Sequence, residues 1–176
     1  DVEGSGVLGN GPVVIQRNTR VVVYNEQPFA TNHRVTVAID GMLHCQNQTV
    51  YMGSLAGSGT ITLGAAVAHW VGPDVNCDLR VGLDNTDSTW HGIMTQPAPS
   101  GADNGGPVST MTKIGTGKLT VTGPQFYHGA TIVSNGTYHL VGSVLSNMVV
   151  ETNGTLMGSG HVGGDLIING TFRVEL

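Results

Sequence analysis

Acidic side chains are the residues of this sequence best suited to catalysis, and they concentrate in one stretch. Asp74, Asp78, Asp84 and Asp87 all lie near Arg80. Carboxylates paired at short distance, or placed beside an arginine, are what the cleavage of a polysaccharide requires. However, the sequence around Asp74, Asp84 and Asp87 has the composition of turns, in which such side chains bind nearby backbone amides. We therefore expect corner-forming acids and assign no catalytic residue.

Seven histidines are the candidate metal ligands. They are scattered along the chain, without the close His-x-His or His-x-x-x-His pairing of metal sites. Stacking could bring two of them into one column, but outer-face polar residues are the better interpretation. We therefore assign no metal and expect no cofactor. The histidines are His33, His44, His69, His91, His128, His139 and His161.

Three aromatic residues could contact a glycan. Trp70, Trp90 and Tyr127 carry flat apolar rings with polar edges, which suit stacking on a sugar. The alternative is that these rings cap the core or pack at corners. They remain our choice of glycan-contact residues if the protein binds a glycan.

Composition narrows the class of protein. The chain of 176 residues contains 27 glycines and only 11% charged residues, and Thr, Val and Asn recur throughout. This mixture favours strands and turns over helices. The net charge of −5 leaves no basic stripe for phosphates, so we expect no nucleic acid partner. No apolar run approaches the roughly 20 residues that span a bilayer, so we expect no membrane insertion of this segment.

Internal repetition is the strongest signal of the fold. A Gly-Ser/Thr-Gly triplet before a strand pattern begins at Gly4, Gly57, Gly115 and Gly158. Asx-Gly corners also recur, with corner glycines at Gly41, Gly136, Gly154 and Gly170, the last three spaced by 18 and then 16 residues. This period fits one turn of a β-solenoid with two or three short strands. The sequence therefore predicts an all-β fold, a right-handed parallel β-helix formed by residues 1–176 as one domain.

A β-sandwich is the alternative fold, because Asn-Gly between alternating apolar runs also predicts a two-residue hairpin. Near-identical successive corners favour the solenoid, since only a solenoid needs the same bend at the same place in each turn. Residues 95–109, rich in Pro and Gly, break the pattern, and we expect an excursion loop there.

Alternation within the strand patterns predicts which side chains point into the core. In a solenoid these side chains stack on their equivalents in the next turn at about 4.8 Å. The predicted inward set is Val21, Val23, Val35, Val37, Ile39, Val50, Met52, Ile61, Leu63, Leu79, Val81, Leu119, Val121, Ile132, Leu140, Val149, Leu156, Leu166, Ile168 and Val174.

One stretch carries a family resemblance. Residues 112–123 read Thr-Lys-Ile-Gly-Thr-Gly-Lys-Leu-Thr-Val-Thr-Gly, and Tyr127-His128-Gly129-Ala130-Thr131-Ile132-Val133 then leads into Asn135-Gly136-Thr137. This stretch resembles the autotransporter-associated β-strand repeat of bacterial passenger-type proteins, closely over about residues 112–142. Residues 53–64 and 154–170 resemble the weaker flanking turns of such regions.

The resemblance implies a right-handed parallel β-helix in a secreted or cell-surface bacterial protein, where it serves as a stalk, an adhesin or a carrier of other activities. Because the repeat family supplies no catalytic residues, we expect a non-catalytic structural or adhesive segment that is not an enzyme. The expected partners are surface glycans or host and cell-surface proteins, together with further domains of the same polypeptide. The alternative is a carbohydrate-binding or polysaccharide-degrading β-helix module.

Cys45 and Cys77 are 32 residues apart, which is about two turns at the corner period. Two turns separate equivalent Cα atoms by roughly 9.6 Å, beyond the ~7 Å limit for a disulfide. We therefore predict no disulfide between them, unless a loop inserted at 64–76 brings them into adjacent turns.

Two further predictions concern the end of the solenoid and its corners. The last turn, 165–176, finishes on a strand pattern without a polar cap. We therefore expect the polypeptide to continue past Leu176, or this end to pack on another domain or chain. The Asx-Gly order predicts a positive φ at Gly136, Gly154 and Gly170, a conformation that disfavours side chains.

Overall fold

The computed structural model describes residues 11–24, 29, 32–46, 49–65, 74–98 and 106–175, and these residues contain strands and no helix. Every ladder between the strands is parallel. The ladders wind into a β-solenoid of about seven turns. The predicted parallel β-helix is confirmed, and the β-sandwich is wrong, because hairpins at the Asn-Gly corners would pair their strands antiparallel.

The strands are short and follow one another in chain order. They are β1 Val13–Ile15, β2 Arg20–Val23, β3 Arg34–Val37, β4 Met42–Cys45, β5 Thr49–Met52, β6 Ser54–Gly57, β7 Thr60–Leu63, β8 Asp78–Val81, β9 Ser88–Trp90, β10 Ile93–Thr95, β11 Thr110–Lys113, β12 Lys118–Val121, β13 Pro124–Phe126, β14 Thr131–Leu140, β15 Ser143–Val144, β16 Met148–Gly158, β17 His161–Val162, β18 Leu166–Ile168 and β19 Thr171–Val174.

The turns cross three faces in the same order, although the described residues of the first turn supply strands only to the first two faces. The first face contains β1, β3, β6, β9, β12, the second halves of β14 and β16, and β19. The second face is a separate sheet of β2, β4, β7, β10, β13, β15 and β17. The third face contains β5, β8, β11, the first halves of β14 and β16, and β18.

The long strands β14 and β16 bend around the corner between the third and first faces. Gly136 pairs with Gly154 there, so the predicted Asx-Gly corners are bends within continuous strands. Gly136 has a φ of 70°, as predicted, but Gly154 and Gly170 have no positive φ, and that prediction is wrong. A Cβ on either of these two would lie 2.2 Å from a carbonyl oxygen of the turn below. Close approach between turns, rather than backbone conformation, therefore requires glycine at both.

The Gly-Ser/Thr-Gly triplets do not mark one equivalent corner. Residues 57–59 and 158–160 lie between the first and second faces, whereas residues 115–117 lie between the third and first faces. The first triplet, at Gly4, lies outside the described residues. The triplets therefore indicate tight bends, but they do not mark the period of the repeat.

Most of the predicted inward set forms the core; Val35, Leu79 and Leu119, for example, are at most 1% exposed. Ile39 was wrongly placed, because it lies at a corner and is 53% exposed. Ile132 was also wrongly placed, because the inward residues of the third face are its neighbours at Thr131 and Val133.

Alternation on the third face also corrects the placement of Val149, since Met148 and Val150 are the buried residues of that segment. Leu166 and Ile168 pair with Met148 and Val150, so their register is inward as predicted. They are nevertheless 39% and 38% exposed, because the last turn of the described chain has no neighbour above it.

The strand pattern is interrupted twice at the corner between the second and third faces. An isolated antiparallel bridge joins Ala65 to Val75 across the first interruption, and residues 66–73 lie outside the described residues. The second interruption lies at the same corner one turn later, in the segment 95–109 for which an excursion was expected; Thr95 ends β10, and the described residues 96–98 and 106–109 contain no strand. Residues 99–105 lie outside the described residues.

The first interruption corrects the expected separation of the cysteines. Cys45 ends β4 and Cys77 immediately precedes β8, so they lie in adjacent turns and not two turns apart. The turn between them is longer than the corner period, so 32 residues separate positions in adjacent turns. Both cysteines are buried free thiols.

Candidate functional site

The residues expected to contact a glycan do not form a surface platform. Trp90 and Tyr127 are both 0% exposed and belong to the core. Trp90 pairs with Gly57 in the turn below, and its indole ring covers the position where Gly92 would carry a Cβ. The structure therefore corrects this assignment for both residues, because neither ring face can reach a sugar. Trp70 lies outside the described residues.

The acids near Arg80 are occupied by hydrogen bonds within and between turns. The Asp78 carboxylate accepts hydrogen bonds from Arg80 Nε at 2.6 Å and from the hydroxyls of Thr110 and Thr112, both at 3.0 Å. Arg80 also donates to the Tyr51 hydroxyl at 3.3 Å and lies 5.4 Å from the centroid of that ring. This cluster joins three neighbouring turns on the outside of the third face.

Asp84 and Asp87 bind backbone and side-chain groups at the corner between the third and first faces. Asp84 Oδ1 accepts hydrogen bonds from the Thr86 amide at 3.0 Å and the Thr86 hydroxyl at 2.9 Å. Asp87 Oδ1 accepts from the Lys118 amide of the next turn at 2.8 Å. These are the hydrogen bonds of corner-forming acids.

Lys113 is a buried cation that the sequence reasoning missed. Its side chain points inward at the end of β11 and is 1% exposed. Burial lowers the pKa of Lys113 to about 8, while Asp87 and Asp84 act in the opposite direction. The signal in the sequence was a lysine at a position where the alternation requires an apolar residue. Its ammonium group donates to the carbonyl oxygens of Ile114 at 2.6 Å, Gly115 at 2.8 Å and Asn135 at 3.2 Å.

The histidines are dispersed over the faces and corners. His44, on the second face, contacts the Gly64 carbonyl oxygen at 2.9 Å, and burial lowers its pKa. His139 Nε2 is hydrogen-bonded to Glu175 Oε2 at 2.9 Å on the first face. In the part of the chain that the structure describes, no three His, Cys, Asp or Glu side chains group into a metal site.

A column of glycines at the corner between the first and second faces was also missed. A Cβ on Gly92 would lie 2.2 Å from the Gly59 carbonyl oxygen, and a Cβ on Gly123 would lie 2.1 Å from that of Gly92. Each glycine thus leaves room for the backbone of its equivalent one turn earlier. A glycine directly before every strand of the second face except β2 was the available signal, hidden by unequal turn lengths. The column is Gly41, Gly59, Gly92, Gly123, Gly142 and Gly160.

The described side chains therefore show structural hydrogen bonding where the sequence suggested chemistry. Gly41, Gly136, Gly154 and Gly170 lie at corners, and the acids and Lys113 join neighbouring turns. The described residues contain no helix long and apolar enough to cross a membrane.

Two curated proteins of Serratia marcescens, both named extracellular serine protease, are similar to parts of this chain. One is 45% identical over 53 residues, which is 30% of this chain and 5% of the relative. The other is 40% identical over 60 residues, which is 34% of this chain and 6% of the relative. No protein-family model matches the chain. No solved structure matches it either.

These relatives overturn one expectation. We expected a protein that is not an enzyme, but both relatives carry the name of a protease, over matches that span about one-twentieth of their length. The extracellular relatives and the parallel β-helix together fit a passenger-type β-helix of a secreted bacterial protein.

Proposed function

We propose that this chain is a rigid scaffold segment of a secreted bacterial passenger-type protein, in which the β-helix sets the distance and orientation of other parts of the same polypeptide. The observation that carries the proposal is the unbroken first face, in which parallel pairing continues from β1 to β19. Stacked turns hydrogen-bonded in this way form a stiff rod.

The comparisons and the sequence support this proposal independently. Residues 112–142 resemble the autotransporter-associated repeat, whose known role is to build such stalks. The matched segments of the extracellular relatives are 53 and 60 residues long, within much longer chains. Short similarity inside a long protein is typical of a repeated scaffold element. On this proposal the chain is exported to the cell surface or the medium.

A distance measurement tests the scaffold. Thr36 and Arg173 lie in one outward column of the first face, and the six strand steps between them correspond to roughly 29 Å. Spin labels at these two positions, in a Cys45→Ala/Cys77→Ala background, should give a single narrow distance by pulsed electron paramagnetic resonance. The intermediate members of the column are Ala56, Thr89, Thr120, His139 and Met157.

Deleting one turn sharpens the test. Because Thr137 pairs with Thr155, removal of residues 137–154 joins Gly136 to Thr155 in the correct register. The distance should shorten by about 4.8 Å and stay narrow. A broad distribution, or no shortening, would contradict the scaffold. Hydrolysis of an unfolded protein substrate should be measured in the same preparation, since the relatives are named proteases.

An adhesive contact is a second candidate, favoured by an apolar stripe on the outside of the second face. Ile93, Phe126 and Leu145 are 40%, 47% and 54% exposed, and Phe126 and Leu145 lie in adjacent turns. Exposed apolar patches mark contact sites, and this one suits a cell-surface protein.

A Phe126→Ser/Leu145→Ser variant should lose binding to bacterial or host cells, whereas Val141→Ser, at a position 45% exposed, should keep it. Equal binding by both variants would exclude the stripe. Retention on polysaccharides instead of cells would make glycans the partner.

A further inference from the structure

The two cysteines flank one corner of the solenoid in adjacent turns. Cys45 ends β4 and pairs with Leu63, which is the last residue of β7 in the next turn. The antiparallel bridge between Ala65 and Val75 then returns the chain to its point of departure. Two residues later Cys77 enters the core above Cys45. The bridge therefore places the two cysteines at one corner in adjacent turns.

The surrounding contacts hold both cysteines in place. Both cysteines belong to the same buried core cluster, where they are 0% and 1% exposed, and the Cys77 thiol acts directly on the Cys45 thiol. The Cys77 amide donates to Ser109 Oγ at 3.0 Å, and its carbonyl oxygen accepts from the Thr110 amide at 2.8 Å. Gly64 donates its amide to the Cys45 carbonyl oxygen at 2.8 Å. Each cysteine is thus bonded through its backbone to the turn that follows it.

We propose that Cys45 and Cys77 are a redox site, which forms an intramolecular disulfide between adjacent turns at the corner of the second and third faces. The chemistry is thiol–disulfide exchange with a small disulfide, RSSR. The thiolate of one cysteine attacks RSSR and releases one RSH, and the second cysteine attacks the mixed disulfide and releases another. One S–S bond forms, one breaks, and the two thiol hydrogens leave on two molecules of RSH.

The environment of the pair makes this disulfide slow to form and stable once formed. Contact with the Cys77 thiol and burial both raise the pKa of Cys45, so thiolate is scarce at neutral pH. Exchange in the folded protein should therefore accelerate as the pH rises. The alternative is that the thiols serve only as small apolar core residues, which would leave them reduced in any buffer.

The test uses the unmodified chain, equilibrated in buffers of graded glutathione and glutathione disulfide. We expect the intact mass to fall by about 2 Da, the thiol count in denaturant to fall from two to none, and peptide mapping to link Cys45 to Cys77. Since the loop closed by the bond is 32 residues long, the oxidised chain should melt roughly 5–10 °C higher than the reduced chain.

A denatured sample in the same buffers is the control. Coupling between folding and bond formation is reciprocal. Half of the native protein should therefore be oxidised at a ratio of glutathione disulfide to glutathione at least about tenfold lower than the denatured protein requires. Cys45→Ser and Cys77→Ser should each remove the oxidation-dependent rise in Tm. Persistence of two free thiols in the oxidising buffer, or only glutathione adducts or linked dimers, would overturn the proposal.

Discussion

Lys113 places a charged group among the inward side chains of the third face, where three carbonyl oxygens surround it. Because these carbonyls belong to the bend into the next turn, the lysine substitutes for backbone donors that the bend cannot supply.

Lys113→Met should lower the free energy of unfolding by about 1–3 kcal/mol, the cost of leaving buried acceptors unpaired. Lys118→Met, at a half-buried lysine on the next strand, is the matched control and should change it by less than about 0.5 kcal/mol. Equal losses in urea unfolding would contradict this role.

The same residue predicts a dependence of stability on pH. Burial lowers the pKa of Lys113 from 10.5 to about 8 in the folded protein. Between these two pH values the Lys113 side chain is protonated in the unfolded chain and deprotonated in the folded chain. Its contribution to the free energy of unfolding therefore becomes more favourable to the folded state as the pH rises. The stability difference between wild type and Lys113→Met should therefore widen between about pH 8 and about pH 10.5. A constant or shrinking difference in urea titrations across this window would refute the lowered pKa.

At the scale of the element, short strands are stabilised by side chains that reach between turns. Asp87 accepts the Lys118 amide of β12 at 2.8 Å, and Asn85 accepts the Thr116 amide at 2.9 Å. These acceptors act at strand starts as capping residues act at helix starts, because the first amide of a strand has no ladder partner at the corner.

Asp87→Ala should destabilise the protein by about 1 kcal/mol, since it leaves the Lys118 amide without its acceptor. Asp87→Asn keeps an acceptor oxygen and should recover most of that loss. Chemical denaturation of the three proteins measures the effect. If asparagine and alanine are equally damaging, the carboxylate acts through its charge and not as a hydrogen-bond acceptor.

Sequence patterns predicted these elements where turns were regular and failed where turns were interrupted. Alternation located inward residues such as Val35 and Leu119, because period two is a property of any strand. The pairing of Gly57 with Trp90 could not be predicted, since these residues are 33 apart in sequence, whereas the paired Gly136 and Gly154 are 18 apart. The same difference in turn length led to the wrong separation of Cys45 from Cys77.

The chemistry of individual side chains was the least predictable part. Trp90 and Tyr127 have the rings of a sugar-binding site, but the composition of a ring does not reveal which way it points. Here Gly92 leaves the space that the Trp90 indole occupies, because a Cβ at Gly92 would lie 2.5 Å from the ring. Lys113 was overlooked for the complementary reason, because a lysine in an alternating strand is normally assigned to solvent.

At the scale of the whole molecule, each turn buries its inward face against its two neighbours, and contacts between distant turns contribute little. The last described turn shows the consequence, because Phe172 and Val174 remain 46% and 61% exposed where no further turn covers them. A solenoid of this kind should therefore respond to damage locally, unlike a globular domain with one shared core.

Hydrogen exchange on Gly154→Val tests this nearest-neighbour stacking most directly. A valine Cβ would lie 2.2 Å from the Val133 carbonyl oxygen, so the two strands must separate there, with an expected loss of about 1–3 kcal/mol. Gly11→Val is the matched control, because a Cβ at Gly11 meets nothing within 4 Å. We expect Gly154→Val to lose protection mainly over residues 130–176 while the turns before β9 stay protected, and Gly11→Val to resemble the wild type. A uniform loss of protection along the described chain would contradict the stacked architecture.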